Sequence, residues 1–327
     1  MIGDFTIEIK NADVSYKFTL HRNITVLRGE GASGKTLLYD LVDTYNNTDR
    51  RGITLNVTRG ATIETLNQQR FNDGVLSQRL TQNRIFIIDE DSNFVKSREF
   101  AYQALRSGFY FILINRDKLD QISCSIHEIF QLTTSHDRVV TFEPIFPKTQ
   151  YGSLHSNYSI ITEDKGAGRQ FFSRAFPDST VIGCNGRDDI INQLHKCTEP
   201  VLVIADGAAF GFNMPAVLES VTSLCGQLIV LESFEYAILK SGVIHSKDER
   251  MLALEKPLVE SRQYSSWEQY YTKLLETVSA GTPLAYKKAH LSQGYSNIAN
   301  IKKILNAYAL LQLYEDYEAT KESTFFA

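Results

Sequence analysis

Cysteine is scarce in this chain: Cys124, Cys184, Cys197 and Cys225 are the four among 327 residues. No two stand in C-x-x-C spacing and no histidine follows at zinc-finger distance, so neither a zinc framework nor a thiol redox motif is indicated. Idle or buried thiols in a reducing compartment are the expectation. Long hydrophobic runs are missing too. None approaches the ~18 residues that a bilayer-crossing helix requires. The opening residues, MIGDFTIEIKNADVSY, have neither the basic nor the apolar region of a secretory leader. The chain therefore reads as cytoplasmic, with no membrane partner. Charge of one sign is not in excess, with a net charge of −4. Bulk nucleic-acid binding is not advertised, although a local basic groove stays open. The seven histidines are scattered without metal spacing. What is there is ordinary globular material, 43% hydrophobic and 22% charged, enough for one or two cores.

Residues 5–9 alternate as a strand, 16–20 read as a second, and 23–27 (NITVL) form a short β-rich run. That run feeds into Gly29-Glu30-Gly31-Ala32-Ser33-Gly34-Lys35-Thr36 and then into TLLYDLVDTYNN, an amphipathic helix. Residues 52–57 and the stretch to Leu66 read as short strand and loop pieces. RIFII (84–88) and FYFILI (109–114) are apolar throughout or nearly so, as buried parallel strands are. Residues 97–106 are helical in pattern, and 126–132 and 139–142 read as edge strands. Strands alternating with helices predict a mostly parallel sheet with helices on both faces.

The segment from Gly29 to Thr36 satisfies G-x-x-x-x-G-K-[ST] at every fixed position, in its strand–loop–helix context. Such a loop wraps a phosphate with backbone N–H groups, which requires dihedrals that glycine adopts cheaply. The following helix aims its unsatisfied amides and dipole at the anion. Lys35 is placed to reach the β- and γ-phosphates and the Thr36 hydroxyl to ligate Mg2+. Gly29, Gly31, Ala32, Ser33, Gly34, Lys35 and Thr36 are the candidate nucleotide-binding residues. Downstream, Ile85-Phe86-Ile87-Ile88-Asp89-Glu90 resembles a Walker B strand. That resemblance implies that Asp89 holds magnesium and Glu90 polarises the attacking water, with Lys35 and Glu90 as catalytic candidates. Asn115, ending the run FYFILI, resembles the sensor position of additional-strand ATPases, which contacts the γ-phosphate or the water.

Residues 1–146 thus resemble the P-loop NTPase superfamily. The phrase ITVLRGEGASGKTLL is similar to the opening of ATP-binding-cassette-type and related bacterial ATPases. No LSGGQ-like signature precedes Asp89, however, and Lys35 and Asp89 lie 54 residues apart, too few for a cassette ATPase's helical insertion. No NKxD guanine-reading element is present, so adenine, and hence ATP, follows by elimination.

Residues 147–159, with Pro147 and many polar residues, read as a linker. Beyond it the β/α rhythm restarts: strands at 158–162, 179–183, 201–205 and 228–231, and helices at 168–176, 187–196, 214–221 and 234–240. The tail from Ser265 is helical, with Ile298, Ile301, Ile304, Leu305, Tyr308 and Leu311 at helix spacing. Glu163 ends one strand and Asp206 another, an order that resembles the Toprim fold of topoisomerases, primases and overcoming-lysogenization-defect nucleases. In those a strand-end Glu and an Asp-x-Asp pair hold magnesium for phosphodiester chemistry. Here Glu163 and Asp206 match, Ala208 stands where the second Asp belongs, and Glu232 or Glu235 is a substitute carboxylate.

The expected architecture is α/β: a P-loop NTPase sheet over 1–146, a linker over 147–159, a smaller Toprim-like α/β domain over 160–262, and a helical region over 263–327. The expected function is magnesium-dependent ATP binding and hydrolysis coupled to the second domain. Two alternatives stand beside it, an ATP-regulated metal-dependent nuclease and a non-catalytic nucleotide-switched interaction protein. A protein partner, a second copy of the chain and nucleic acid all stay open as partners.

Overall fold

Residues that are apolar at every position of a short run have no polar face to offer solvent, so such runs belong inside a sheet covered on both sides. The computed structural model describes residues 4–325 apart from 30–33, 49, 51, 78–82, 155–157, 209, 253, 255–263 and 265. The chain divides into two compact units, Met1–Pro147 with Pro257–Ser265, and Lys148–Lys256 with Ser266–Ala327. Among the described residues no helix is long and apolar enough to cross a membrane.

The first unit holds β1 (Phe5–Lys10), β2 (Ser15–Leu20), β3 (Ile24–Leu27), β4 (Thr54–Val57), β5 (Thr62–Thr65), β6 (Arg84–Ile88), β7 (Tyr110–Ile114), β8 (Ile129–Thr134) and β9 (Val139–Pro144), with helices α1 (Lys35–Asn47), α2 (Gln68–Asn72) and α3 (Arg98–Ser107). They build one sheet in the order β4-β1-β2-β9-β8-β3-β7-β6-β5. The block β8-β3-β7-β6-β5 is parallel, as the β/α alternation predicts. The rest makes the sheet mixed rather than mostly parallel: β1 pairs antiparallel with β2 and β4, and β8 antiparallel with β9. Both hairpins turn within four residues, at 11–14 and 135–138, too few for a parallel crossover.

Alternation along β6 sends Ile85 and Ile87 to one face, where they share a core with Leu38, Leu41 and Val42 of α1, Ile112 and Ile114. Phe86 turns to the other face, near Phe111, and Phe100 of α3 meets Phe111 edge-on at 5.4 Å. Helices therefore cover both faces of the parallel block. Each fully buried Ile or Phe contributes roughly 1.5–3 kcal/mol of transfer free energy, so burial on both faces anchors β6 and β7.

The second unit holds β10 (Gln150–Gly152), β11 (Ser159–Thr162), β12 (Val181–Gly183), β13 (Val201–Asp206) and β14 (Gln227–Leu231), ordered β10-β14-β13-β11-β12. β11 to β14 are parallel, and β10 runs antiparallel on β14. The stretch read as a linker thus supplies an edge strand. Its helices are α4 (Ala167–Ala175), α5 (Arg187–Leu194), α6 (Met214–Ser223), α7 (Phe234–Lys240), α8 (Glu249–Leu252), α9 (Trp267–Ser279), α10 (Ile298–Ala307) and α11 (Leu311–Phe325). α7 packs on α9 and α10. The apolar repeat from Ile298 to Leu311 is not one helix: Ala309 adopts a left-handed φ of 56° between α10 and α11, and the Leu310 amide donates to the Leu305 carbonyl at 2.8 Å. Tyr308, Tyr314 and Tyr317 spend their rings on Phe172 and Phe176.

Candidate functional site

Strand register decides which residues leave the first sheet together. Leu27 of β3 lies beside Ile114 of β7, and Leu113 beside Ile88 of β6. The residues just past these strands, Arg28-Gly29, Asn115-Arg116 and Asp89-Glu90, therefore emerge side by side at one edge, with β7 between the other two. In parallel sheets this C-terminal edge is where ligands bind.

At that edge Gly29 has φ 140° and Gly34 φ 90°, backbone that an L side chain rarely adopts. Glu30, Gly31, Ala32 and Ser33 lie outside the described residues. Gly34 caps α1, and its carbonyl accepts from the Leu38 amide at 3.0 Å and from the Tyr16 hydroxyl at 2.8 Å. A Cβ on Gly34 would stand 3.0 Å from that hydroxyl. Tyr16, buried on β2, thus fastens the end of the loop to the antiparallel half of the sheet. Strand alternation says only that Tyr16 points inward, so nothing in the sequence assigns it this part.

Lys35 is 5% exposed and its Nζ donates to the Gly29 carbonyl at 2.9 Å. Burial and the nearby Arg116 charge lower its proton affinity, against Glu90, which raises it. The Thr36 side chain is exposed on the first turn of α1. Asp89 Oδ1 is buried with no hydrogen-bond partner among the described residues. Burial raises the Asp89 pKa, opposed by a hydrogen bond from the Glu90 amide, and the charges of Asp91, Glu90 and Asp40 raise it further. Glu90 stands 3.2 Å from Arg116 Nε in an ion pair exposed on both sides. Asn115 is 3% exposed; its amide N donates to Leu27 O at 3.2 Å and its Oδ1 accepts from the Asp117 amide at 2.6 Å. Lys35, Asp89, Glu90 and Asn115 are therefore gathered at one edge. A buried carboxylate oxygen without a partner, beside an acidic neighbourhood, has the chemistry of a cation ligand.

The second sheet gathers acids at its own C-terminal edge. Glu163 follows β11, and its Oε2 accepts from the Asp206 amide at 2.8 Å. Both side chains sit deep, yet each keeps some contact with solvent. Burial pushes the Glu163 carboxyl up to about 7, and burial with the charge of Glu163 raises Asp206 well above the usual carboxylate range. Asp164 turns away to α4, accepting from the amides of Gly166 at 2.6 Å, Gly168 at 3.3 Å and Arg169 at 3.4 Å. Glu235 is buried and accepts from the Tyr286 hydroxyl at 2.7 Å. Glu268, in the first turn of α9, pairs with Lys288. Glu268, Tyr286 and Lys288 escape sequence reasoning because they lie on the helical tail, where the pattern announces packing alone.

These residues do not fit a divalent metal well. Ala208 occupies the place of a second Asp, and the carboxylates of Asp164 and Glu235 are already engaged. Among the described residues no three His, Cys, Asp or Glu side chains form a group that could hold a metal ion. For magnesium at the first edge this is no obstacle, because that ion keeps several waters and leans on phosphate oxygens, needing one or two protein ligands. Cys124 and Cys184 are buried, and burial pushes Cys184 up to about 12, away from a reactive thiolate. No protein-family model matches this chain, and no curated protein sequence matches it.

Proposed function

We propose that the first unit binds ATP with magnesium at the edge shared by β3, β7 and β6, hydrolyses it, and couples that cycle to the second α/β unit. The observation that carries this reading is the convergence of Lys35, Asp89-Glu90 and Asn115 on one strand edge, with β7 between β3 and β6. The sensor-like assignment of Asn115 requires that order, and sequence alone does not dictate it.

Each residue then has a task. The amides at the start of α1, with the helix dipole, attract the polyphosphate. Lys35 exchanges the Gly29 carbonyl for a phosphate oxygen, a bond charged on both sides rather than on the donor alone. Burial and the Arg116 charge, which lower its proton affinity, both favour an anion beside it. Thr36 and Asp89 would hold the magnesium ion, which when bound neutralises phosphate charge; the partnerless Asp89 Oδ1 fits that duty. Glu90 orients and polarises the attacking water. Its ion pair with Arg116 is solvent-exposed and hence worth little, so it can be released. Asn115 presents an amide group beside both motifs.

The test is turnover set against binding. Glu90→Gln is expected to lower ATP hydrolysis by about 100-fold or more while leaving ATP affinity unchanged. Unchanged hydrolysis in that variant would sink the assignment of Glu90. Tight binding with no hydrolysis by the parent chain would leave a nucleotide switch in place of an ATPase.

A further inference from the structure

Two segments that leave neighbouring strands of the first unit are joined by two ion pairs, Glu90 with Arg116 and Lys96 with Asp117. After β6 the chain turns through residues 89–92, where the Ser92 amide donates to the Asp89 carbonyl at 3.1 Å. After β7 the Asn115 Oδ1 accepts from the Asp117 amide, closing an Asx turn with Arg116 at its centre. Both ends of that turn are held. Asn115 is buried and its amide donates to the Leu27 carbonyl, while Lys96 Nζ donates to Asp117 Oδ2 at 2.7 Å. The place from which the Arg116 side chain starts is therefore fixed. Its Nε stands 3.2 Å from Glu90 Oε2, and the two side chains keep 53% and 38% of their surface in solvent.

We propose that Arg116 serves two anions in turn: it holds Glu90 until a nucleoside triphosphate is bound, then leaves it for the γ-phosphate, so that Glu90 is freed only when there is a phosphate to attack. This rests on the reading of the first unit as an ATPase. Reach allows the exchange. A carboxylate that holds the attacking water lies ~3 Å from it, and that water ~3 Å from the phosphorus. A guanidinium at Glu90 is thus one swing of a half-exposed side chain from the γ-phosphate oxygens. Competition favours the exchange. A solvent-exposed pair with one carboxylate is weak, whereas a terminal phosphate carries more charge and accepts the guanidinium fork through two oxygens. A nucleoside diphosphate has no group at that position, so with it the pair to Glu90 stands. The charge of Arg116 is also felt at Lys35, whose proton affinity it lowers, and a polyphosphate placed between the two cations relieves that repulsion. Arg116 then acts on the transferred phosphoryl group as an arginine supplied by the same chain.

The experiment is calorimetric titration of the full chain with ATP and with ADP, each with Mg2+, together with steady-state turnover, for the parent, Arg116→Ala and Arg116→Lys. The parent is expected to prefer ATP. Arg116→Ala is expected to lose about tenfold or more in ATP affinity, to hold its ADP affinity within about twofold, and to turn over about 100-fold more slowly. Arg116→Lys keeps the charge without the fork and is expected to fall between the two. A purely structural part for Arg116 would weaken both nucleotides alike. ATP affinity or turnover equal to the parent's, or equal losses for ATP and ADP, overturns this inference while hydrolysis by the parent leaves the ATPase reading standing. A parent chain that does not hydrolyse ATP overturns both. Should Arg116→Ala not fold, Arg116→Gln carries the same expectations and the same overturning results.

Discussion

At the edge of the first sheet Asp89 keeps a buried oxygen without a protein partner and Lys35 clasps a main-chain carbonyl, whereas at the same edge of the second sheet Glu163, Asp164 and Glu235 each accept a hydrogen bond from the chain itself. Both edges end parallel strands in acids, and both place a lysine nearby. The first leaves that carboxylate oxygen without a partner among the described residues; in the second these three carboxylates are already engaged by the fold. Acids at a strand end therefore say little until their partners are counted.

The largest expected effect that sharpens this contrast is on pH. Glu163 rises from the ordinary 4.5 to about 7 in the fold, first because it is buried. A group with a raised folded-state value lends its stability in full below the unfolded value, and loses it as pH climbs through the folded one. In metal-free buffer the Trp267 transition of the second unit should therefore drop between pH 4.5 and 7, by roughly 3 kcal/mol at most. Glu163→Gln should flatten that slope. Equal slopes in the two chains would break the description of a desolvated acid pair.

Next in size is Gly34→Ala. The left-handed backbone costs an L-residue roughly 1–2 kcal/mol, and the new methyl would crowd the Tyr16 hydroxyl. ATP affinity should fall tenfold or more, measured by fluorescent-nucleotide titration; parent-like affinity would remove the loop from the account. Tyr16→Phe is smaller, losing one hydrogen bond to the Gly34 carbonyl, about 1 kcal/mol in denaturant melts with a several-fold loss of affinity. Smallest is Arg116→Ala. Its pair with Glu90 is exposed on both sides, so stability should hold within about 0.5 kcal/mol. A loss well above that would mean that the pair is part of the fold.

The sequence already shows β6, β7, β13 and β14, because strands covered on both faces must be apolar at every position. It shows the glycine loop in its strand–helix setting for the same local reason. It does not show β7 lying between β3 and β6, nor β9 joining β2 to β8, since pairing order depends on contacts far apart in the chain. β10 is hidden because three residues at a sheet edge need no apolar pattern. At the sites, Lys35, Asp89, Glu90, Glu163 and Asp206 are named by motif, while Tyr16, Tyr286 and Lys288 are not. Their parts rest on single hydrogen bonds reaching across 18 to 51 residues, which no local periodicity records.

The most direct measurement is calorimetric titration of the full chain with ATP and magnesium, alongside Lys35→Ala. One binding event per chain is expected, weakened about 100-fold in the variant, as fits the loss of a desolvated charged contact. No heat with either ATP or GTP, together with a Lys35→Ala chain indistinguishable from its parent, would contradict the central claim.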